Sequence, residues 1–200
     1  APQEGIEEKR KNYENENPIC ELIRKDLIDE FIIFVNKNDI QLRTEINPSV
    51  IETNEFLMIQ KPSLIEYAAF FGSIKIFKYL LSNNIGLTPQ IWLYSIHGNN
   101  PEIIGLIEDQ NVEPPNNSYE LCFEEAIKCH HNDIAEYFKN NYLNSPNFIN
   151  FGLKYYNFSY IQEDLIDIKD LFQLISSDYA IIVDNLVKNP SIDINHMFVF

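Results

Sequence analysis

The residues of this 200-residue sequence that are best suited to chemistry are Cys122, Cys129, His130 and His131. Thiolate sulfur and imidazole nitrogen are the ligands that zinc prefers, about 2.0–2.3 Å from the ion. The spacing is unfavourable, because Cys122 and Cys129 lie two helical turns apart, roughly 10 Å along a helix axis. His130 and His131 are adjacent and point in different directions on any regular element. We therefore expect no metal and no other cofactor.

A cysteine beside a histidine could also act as a nucleophile with its base, and Cys129 is the candidate. The sequence offers no glycine segment for an oxyanion hole, no phosphate-binding glycine loop, and no serine-hydrolase or metalloprotease motif. Acidic pairs such as Asp164 and Asp167 are typical of solvated helix faces. We expect that the protein is not an enzyme, and we predict no catalytic residue.

Acidic residues dominate the charge of the chain, whose formal net charge is −15. Residues 1–100 carry 10 basic and 14 acidic residues, and residues 101–200 carry 5 and 16. A nucleic-acid-binding protein needs a basic face, and an anionic membrane repels an acidic chain. We expect neither kind of partner. A protein partner with a basic patch is compatible with this charge, and the alternative is that the acidity only keeps the protein soluble.

Cysteine usage and hydropathy bear on the compartment. Cys20, Cys122 and Cys129 form an odd set without the spacing of a disulfide framework, which favours a reducing compartment. No signal peptide is visible, and the longest apolar runs are too short to span a membrane. We predict a cytoplasmic protein. Hydrophobic residues make up 45% of the chain, which excludes global disorder.

Three segments align as copies of one another: Ser63–Asn84, Gln90–Gln110 and Leu121–Asn141. Their offsets are 27 and 31 residues. A small residue recurs in the first half of each copy, and a turn residue follows it four positions later. The small residues are Ala68, Ser95 and Ala126, and the turn residues are Gly72, Asn99 and His130. Weaker copies flank these segments, and one of them has Gly152 at the small position.

Each copy is predicted to form two short amphipathic helices with a break between them. Ser63 and Glu66 have the spacing of a capping box, which predicts a helix start. Gly72 should end that helix in a left-handed conformation, and Ser73 should cap the second helix. The Asn-Pro pairs at 17–18 and 100–101 predict two further helix starts. Trp92 falls at an inward position and is predicted to be in the core.

The predicted fold is all-α: a helix-turn-helix, ankyrin-type repeat solenoid of about five to six divergent repeats. A polar segment covers residues 1–16, and the repeat domain covers 17–200. The repeats are placed near 18–40, 63–86, 90–112, 118–142, 148–166 and 170–195. A long connector covers 42–62 and is predicted to hold a short helix from Pro48 to Leu57. A further repeat would begin at the chain end, so we expect the natural protein to continue.

The clearest copy, SLIEYAAFFGSIKIFKYLLSNN, resembles an ankyrin repeat. Its small pair, its Gly-Ser break and its two apolar pairs stand where the ankyrin pattern has Ala-Ala, Gly-His and its own apolar pairs. The stretch from Asn17 to about Tyr142 is more closely similar to a divergent ankyrin-like domain of unknown function that is expanded in certain protists. Only one copy keeps the glycine, and none keeps both Thr-Pro and Leu-His.

The resemblance implies a non-enzymatic protein-protein interaction module with a concave surface formed by the first helices and the loop tips. The loop tips would lie near Gly86–Gln90 and Glu113–Asn117. The implied partner-binding residues are Phe70, Phe71, His97, Lys128, Cys129, Lys154 and Tyr155. For Phe70 and Phe71, packing against the connector is an equal alternative. The alternative function is a structural N-terminal cap of a longer ankyrin array that has no partner of its own.

Overall fold

The computed structural model of the protein describes residues 15–50, 52–143 and 148–160, and this part of the chain is all-α. It holds ten α-helices, two single-turn 3-10 helices and one isolated antiparallel bridge between Glu45 and Ser63. The α-helices are α1 (Pro18–Arg24), α2 (Ile28–Lys37), α3 (Glu55–Ile59), α4 (Leu64–Phe70), α5 (Ile74–Ser82), α6 (Ile91–Gly98), α7 (Pro101–Asp109), α8 (Glu120–Lys128), α9 (Asn132–Tyr142) and α10 (Phe148–Lys154). The 3-10 helices are Pro115–Asn117 and Phe158–Tyr160.

The chain divides into two compact units, one through Leu143 and one from Asn144 onward. In the first unit, α1, α4, α6 and α8 contact one another in sequence order. The helices that follow them, α2, α5 and α7, also contact one another in order, and α9 packs on α8. The core lies between these two rows of helices. In the second unit, α10 contacts the turn Phe158–Tyr160, and Leu153 and Tyr160 are buried.

Every break between the paired helices contains one residue in the left-handed conformation. These residues are Asp26, Gly72, Asn99 and His130 in the first unit and Tyr156 in the second, with φ of 51°, 66°, 46°, 59° and 56°. In three of these breaks the bond that closes the turn runs to an aligned small residue. The N–H of Ser73 donates to Ala68 at 2.9 Å, that of His131 to Ala126 at 2.9 Å, and that of Asn157 to Gly152 at 2.8 Å. This bond satisfies a helix-terminal carbonyl, and it confirms the predicted breaks.

Most of the predicted helix starts are present. Ser63 and Glu66 form the capping box, and Asn17 and Asn100 each accept a backbone N–H at the start of a helix with proline in its first turn. Ser73 differs from the prediction. It stands at the N-cap position of α5, but its hydroxyl donates to the buried carbonyl of Ile23 at 2.6 Å.

The start of α5 is capped from the neighbouring helix pair instead. The carboxylate of Asp26 accepts the N–H groups of Lys75 at 3.1 Å and Ile76 at 3.0 Å. The next break is tied in a similar way, because the side-chain amide of Asn100 donates to the carbonyl of Gly72 at 3.0 Å. Polar groups at the breaks therefore join one helix pair to the next.

The backbones of α4 and α6 approach closely where α6 ends. A Cβ atom added to Gly98 would lie 2.0 Å from the carbonyl oxygen of Ala69. One added to Gly72 would lie 2.7 Å from the carbonyl oxygen of Gly98. Trp92, near the start of α6, is fully buried, as predicted, and its indole N–H donates to the carbonyl of Val112 at 2.9 Å.

The connector 42–62 is anchored beside the start of α4. The N–H of Ile46 donates to the carbonyl of Pro62 at 2.7 Å, and the N–H of Leu64 donates to that of Thr44 at 3.2 Å. The helix in this connector is α3, which begins at Glu55 after an N-cap at Asn54. The predicted start at Pro48 was therefore wrong, because the capping side chain lies six residues later.

Several predictions lie outside the described residues. They are the polar segment up to residue 14, the repeat near 170–195, the part of the repeat near 148–166 that follows residue 160, and the chain end, where a further repeat would begin. Among the described residues, no helix combines the length and the apolar character that crossing a membrane requires.

Candidate functional site

Phe70 and His97 form a stacked pair that α4 and α6 contribute from neighbouring helix ends. Their ring centroids are 4.7 Å apart with an interplanar angle of 24°. Phe56 of α3 covers both rings, at 6.0 Å from Phe70 and 4.7 Å from His97, and it also meets Tyr94 edge-on at 4.9 Å. The exposed fraction of Phe70 is 8% as a result. Of the two alternatives for Phe70, the structure shows packing against the connector.

Phe71 lies at the edge of this aromatic cluster and is half-buried. Its ring is 5.0 Å from that of Phe70 and 4.7 Å from that of Tyr67. The guanidinium of Arg24 lies 6.0 Å from the ring centroid, at the outer limit of a cation–π contact. The same guanidinium donates to the hydroxyl of Tyr67 at 3.0 Å, which fixes its position beside Phe71.

A second cluster begins on the other side of His97. Its Nε2 lies 2.8 Å from Oε1 of Glu125, and its ring nitrogens lie 3.5 Å (Nδ1) and 3.9 Å (Nε2) from Sγ of Cys129. Lys128 is exposed and reaches the same carboxylate, with Nζ 3.2 Å from Oε1. The structure thus gathers three predicted residues, His97, Lys128 and Cys129, around Glu125.

The electrostatics of this cluster favour a charged carboxylate and a neutral thiol. Burial raises the pKa of Glu125, but the hydrogen bond and charge of His97, together with Lys128, outweigh burial and leave the pKa below its usual value. Burial raises the pKa of the Cys129 thiol to about 12; the negative charge of Glu125 adds to this effect and Lys128 opposes it. A neutral thiol is a poor nucleophile, so this geometry does not activate Cys129 for covalent catalysis.

The sequence predicted no role for Glu125. The signal that could have found it is the repeat register. In the aligned copies, Glu125 precedes the small residue Ala126, and Cys129 follows it by three. His97 stands two positions after Ser95, the small residue of the preceding copy. When neighbouring first helices stack, Glu125 and Cys129 lie on either side of His97. The sequence does not give the register of this stacking, which only the fold supplies.

The other residues of the initial cysteine–histidine group do not join this cluster as side-chain ligands. Cys122 is fully buried, and burial raises its pKa to about 12. His130 is exposed in its left-handed turn. His131 is half-buried; burial lowers its pKa, and a backbone hydrogen bond with His97 opposes this effect. All three cysteines of the chain are free thiols.

A groove of about 580 Å³ lies between the connector and the loop that precedes α6. The predicted loop tip near Gly86–Gln90 forms one wall. The opposite wall carries two cations and two carboxylates, from Arg43, Lys61, Glu45 and Glu66. Thr88 of the loop tip donates to Glu66 at 2.7 Å across the groove. The groove is therefore open and of mixed charge.

Exposed apolar side chains lie next to this groove in the sequence. Met58 and Ile59, at the end of α3, are 51% and 70% exposed, and Val50 of the same connector is fully exposed. Such side chains are favourable contacts for another protein, because their burial releases ordered water. Gln60 and Lys61, which follow them directly, line the groove.

The remaining predicted site residues belong to the second unit. Lys154 is exposed at the end of α10, and Tyr155 is half-buried. The ammonium group of Lys154 lies 4.8 Å from the centroid of the Tyr155 ring, a distance typical of a cation–π contact.

The second predicted loop tip, Glu113–Asn117, contains the 3-10 helix Pro115–Asn117, with Asn116 and Asn117 in the left-handed conformation.

Comparison with known protein families gives a match over part of the chain. Residues 83–162 match a family profile that is described as a domain of unknown function (DUF3447). This range contains α6 to α10 and therefore includes His97, Glu125 and Cys129. No curated protein and no solved structure matches the sequence significantly. The matched domain has no assigned activity.

Proposed function

We propose that the protein is a non-enzymatic interaction module, built as a divergent ankyrin-type repeat stack, that binds another protein. The repeated helix pairs, each broken by one left-handed residue, support the repeat architecture. A single pair cannot bury its own apolar face, so neighbouring pairs must stack. Stacking leaves one edge of each pair, formed by a first-helix start and a loop tip, available for contact.

The open groove between the connector and the loop tip Gly86–Gln90 is the observation that carries this proposal. It joins first-helix starts, a loop tip and both signs of charge, and exposed apolar residues precede one of its walls. Interfaces of this kind combine apolar anchors with a polar rim. Its cations and carboxylates can orient a partner segment without a single dominant charge. The partner is therefore not restricted to a basic protein.

The aromatic pair predicted as a binding anchor has a different place in this proposal. Phe56 covers Phe70 and His97, so these rings support the connector that forms a groove wall. Phe71 and Lys128 remain accessible for direct contact. The binding surface therefore centres on the connector and the loop tip, and no longer on the middle of the first helices.

Affinity capture with matched charge variants tests the proposal. Arg43→Glu with Lys61→Glu reverses both groove cations, and Lys37→Glu with Lys75→Glu makes the same charge change at exposed positions outside the groove. We expect the unaltered chain and the second variant to retain the same protein from a lysate, and the first variant to retain at least ten-fold less. Equal retention by both variants would exclude the groove as the binding surface.

A structural cap is the second candidate function, and the packing of Phe56 over Phe70 and His97 favours it. A connector that closes over Phe70 and His97 shields apolar surface, which is what a terminal repeat must do for an array. In that case the chain should raise the unfolding midpoint of an ankyrin array fused after residue 200. It should also retain no specific protein in the capture experiment. Retention that depends on the groove would favour the interaction module.

A further inference from the structure

We propose that His97, Glu125 and Cys129 form a binding site for zinc or a similar thiophilic divalent ion. Their ligand atoms, an imidazole nitrogen, a carboxylate oxygen and a thiol sulfur, all lie within 4.8 Å of one another. These are the three ligand types that protein zinc sites use. Among the residues that the structure describes, no other three acids, cysteines or histidines have ligand atoms this close together.

Two of the three distances between ligand atoms are near those of a tetrahedral site, and the third, between the carboxylate of Glu125 and the sulfur of Cys129, is within 4.8 Å. Bonds of about 2.0–2.3 Å at tetrahedral angles place the ligand atoms about 3.3–3.6 Å apart. Nε2 of His97 lies 2.8 Å from Oε1 of Glu125 and 3.9 Å from Sγ of Cys129, on either side of that range. We expect the side chains of Glu125 and Cys129 to rotate on binding, so that both distances enter this range.

The three side chains are positioned by elements that are packed before any ion arrives. Glu125 and Cys129 are four residues apart, at the end of α8, and therefore lie on one face. His97 comes from the end of α6, which packs against α8. Its ring is stacked on Phe70 and covered by Phe56, so few ring orientations remain. Fixed ligands lose little conformational entropy on binding, which favours affinity.

The site is partly open to solvent, which leaves room for a fourth ligand. The side chains of His97 and Glu125 are 13% and 14% exposed. Water or a side chain of a bound partner could occupy the fourth position of the ion. Binding breaks the hydrogen bond between His97 and Glu125 and displaces the ammonium of Lys128, whose side chain is 43% exposed and can turn into solvent. The Cys129 thiol transfers its proton to the solvent as the metal–sulfur bond forms.

Metal titration of the purified 200-residue chain tests this proposal. After removal of metal by a chelator, zinc is titrated in competition with a chromogenic chelator, and cobalt(II) is titrated separately. We expect one equivalent of each ion and a near-ultraviolet charge-transfer band that reports a cobalt–thiolate bond. Cys129→Ser, which preserves the size of the side chain, should lose that band and weaken zinc binding at least ten-fold. Glu125→Gln should weaken zinc binding without removing the band.

His130→Asn is the matched control, because it removes an exposed histidine and asparagine tolerates the left-handed conformation of that residue. It should bind zinc as the unaltered chain does. Circular dichroism of each variant establishes that it is folded. The proposal is overturned if the unaltered chain takes up no equivalent of zinc. It is also overturned if Cys129→Ser binds zinc as tightly as the unaltered chain, or if His130→Asn loses binding to the same extent.

Discussion

The close approach of α4 and α6 gives the sharpest prediction about stability. Replacing Gly98 with alanine would place its Cβ 2.0 Å from the carbonyl oxygen of Ala69 and 2.8 Å from the backbone nitrogen of Gly72. Both contacts are to backbone atoms, which cannot turn away as a flexible side chain can. The two helices must therefore separate by roughly 1 Å, a change that disturbs a close-packed interior.

The magnitude follows from two opposing contributions. Alanine is favoured over glycine in a helix by about 1 kcal/mol, which would stabilise the variant. Overpacking a core costs about 1–3 kcal/mol, and more where the backbone must move. We expect the overpacking to dominate, so that Gly98→Ala lowers the free energy of unfolding by about 2–3 kcal/mol. In a domain of this size, that corresponds to a fall in Tm of roughly 4–12 °C.

Gly105→Ala is the matched control. Gly105 lies inside α7, and a Cβ added there would meet no atom within 4 Å. The helix preference then acts alone, and the variant should be more stable by about 0.5–1 kcal/mol. Urea unfolding followed by circular dichroism measures both variants. If Gly98→Ala were as stable as Gly105→Ala, the close approach of α4 and α6 would be refuted.

Two further predictions concern polar contacts between helix pairs. Asp26→Gly keeps the left-handed conformation but removes the acceptor for two N–H groups of α5; Asp39→Gly, at the same φ of 51°, serves as its control. In urea unfolding, the first variant should be less stable than the second by about 1–2 kcal/mol, and equal stabilities would contradict this cap. Glu125 has a pKa below its usual value in the folded protein, so its contribution is complete above the unfolded pKa of about 4.3 and is lost as pH falls through the folded pKa. Glu125→Gln should therefore flatten the fall in stability as the pH drops below about 5, and an unchanged slope would contradict the stabilising role of His97 and Lys128.

The sequence alone predicted the helical class and several helix boundaries. The capping box at Ser63, the asparagine caps at 17 and 100, and the left-handed Gly72 all follow from local rules. Each of them satisfies helix-terminal groups with atoms a few residues away. Short-range geometry of this kind depends little on the rest of the fold. The burial of Trp92 was also predictable, because helical periodicity fixes which face a residue occupies.

Only the tertiary structure decided the partners of the polar and aromatic side chains. Ser73 was predicted to cap α5 from its local sequence, yet its hydroxyl donates a hydrogen bond to the buried carbonyl of Ile23, 50 residues away. Phe56 belongs to the connector and covers Phe70, and no local sequence pattern specifies the path of this connector. The convergence of His97 with Glu125 depends on the register in which neighbouring helices stack. Such contacts join residues 14 to 50 positions apart, and packing of whole helices sets them, so a reading of neighbouring residues cannot predict them.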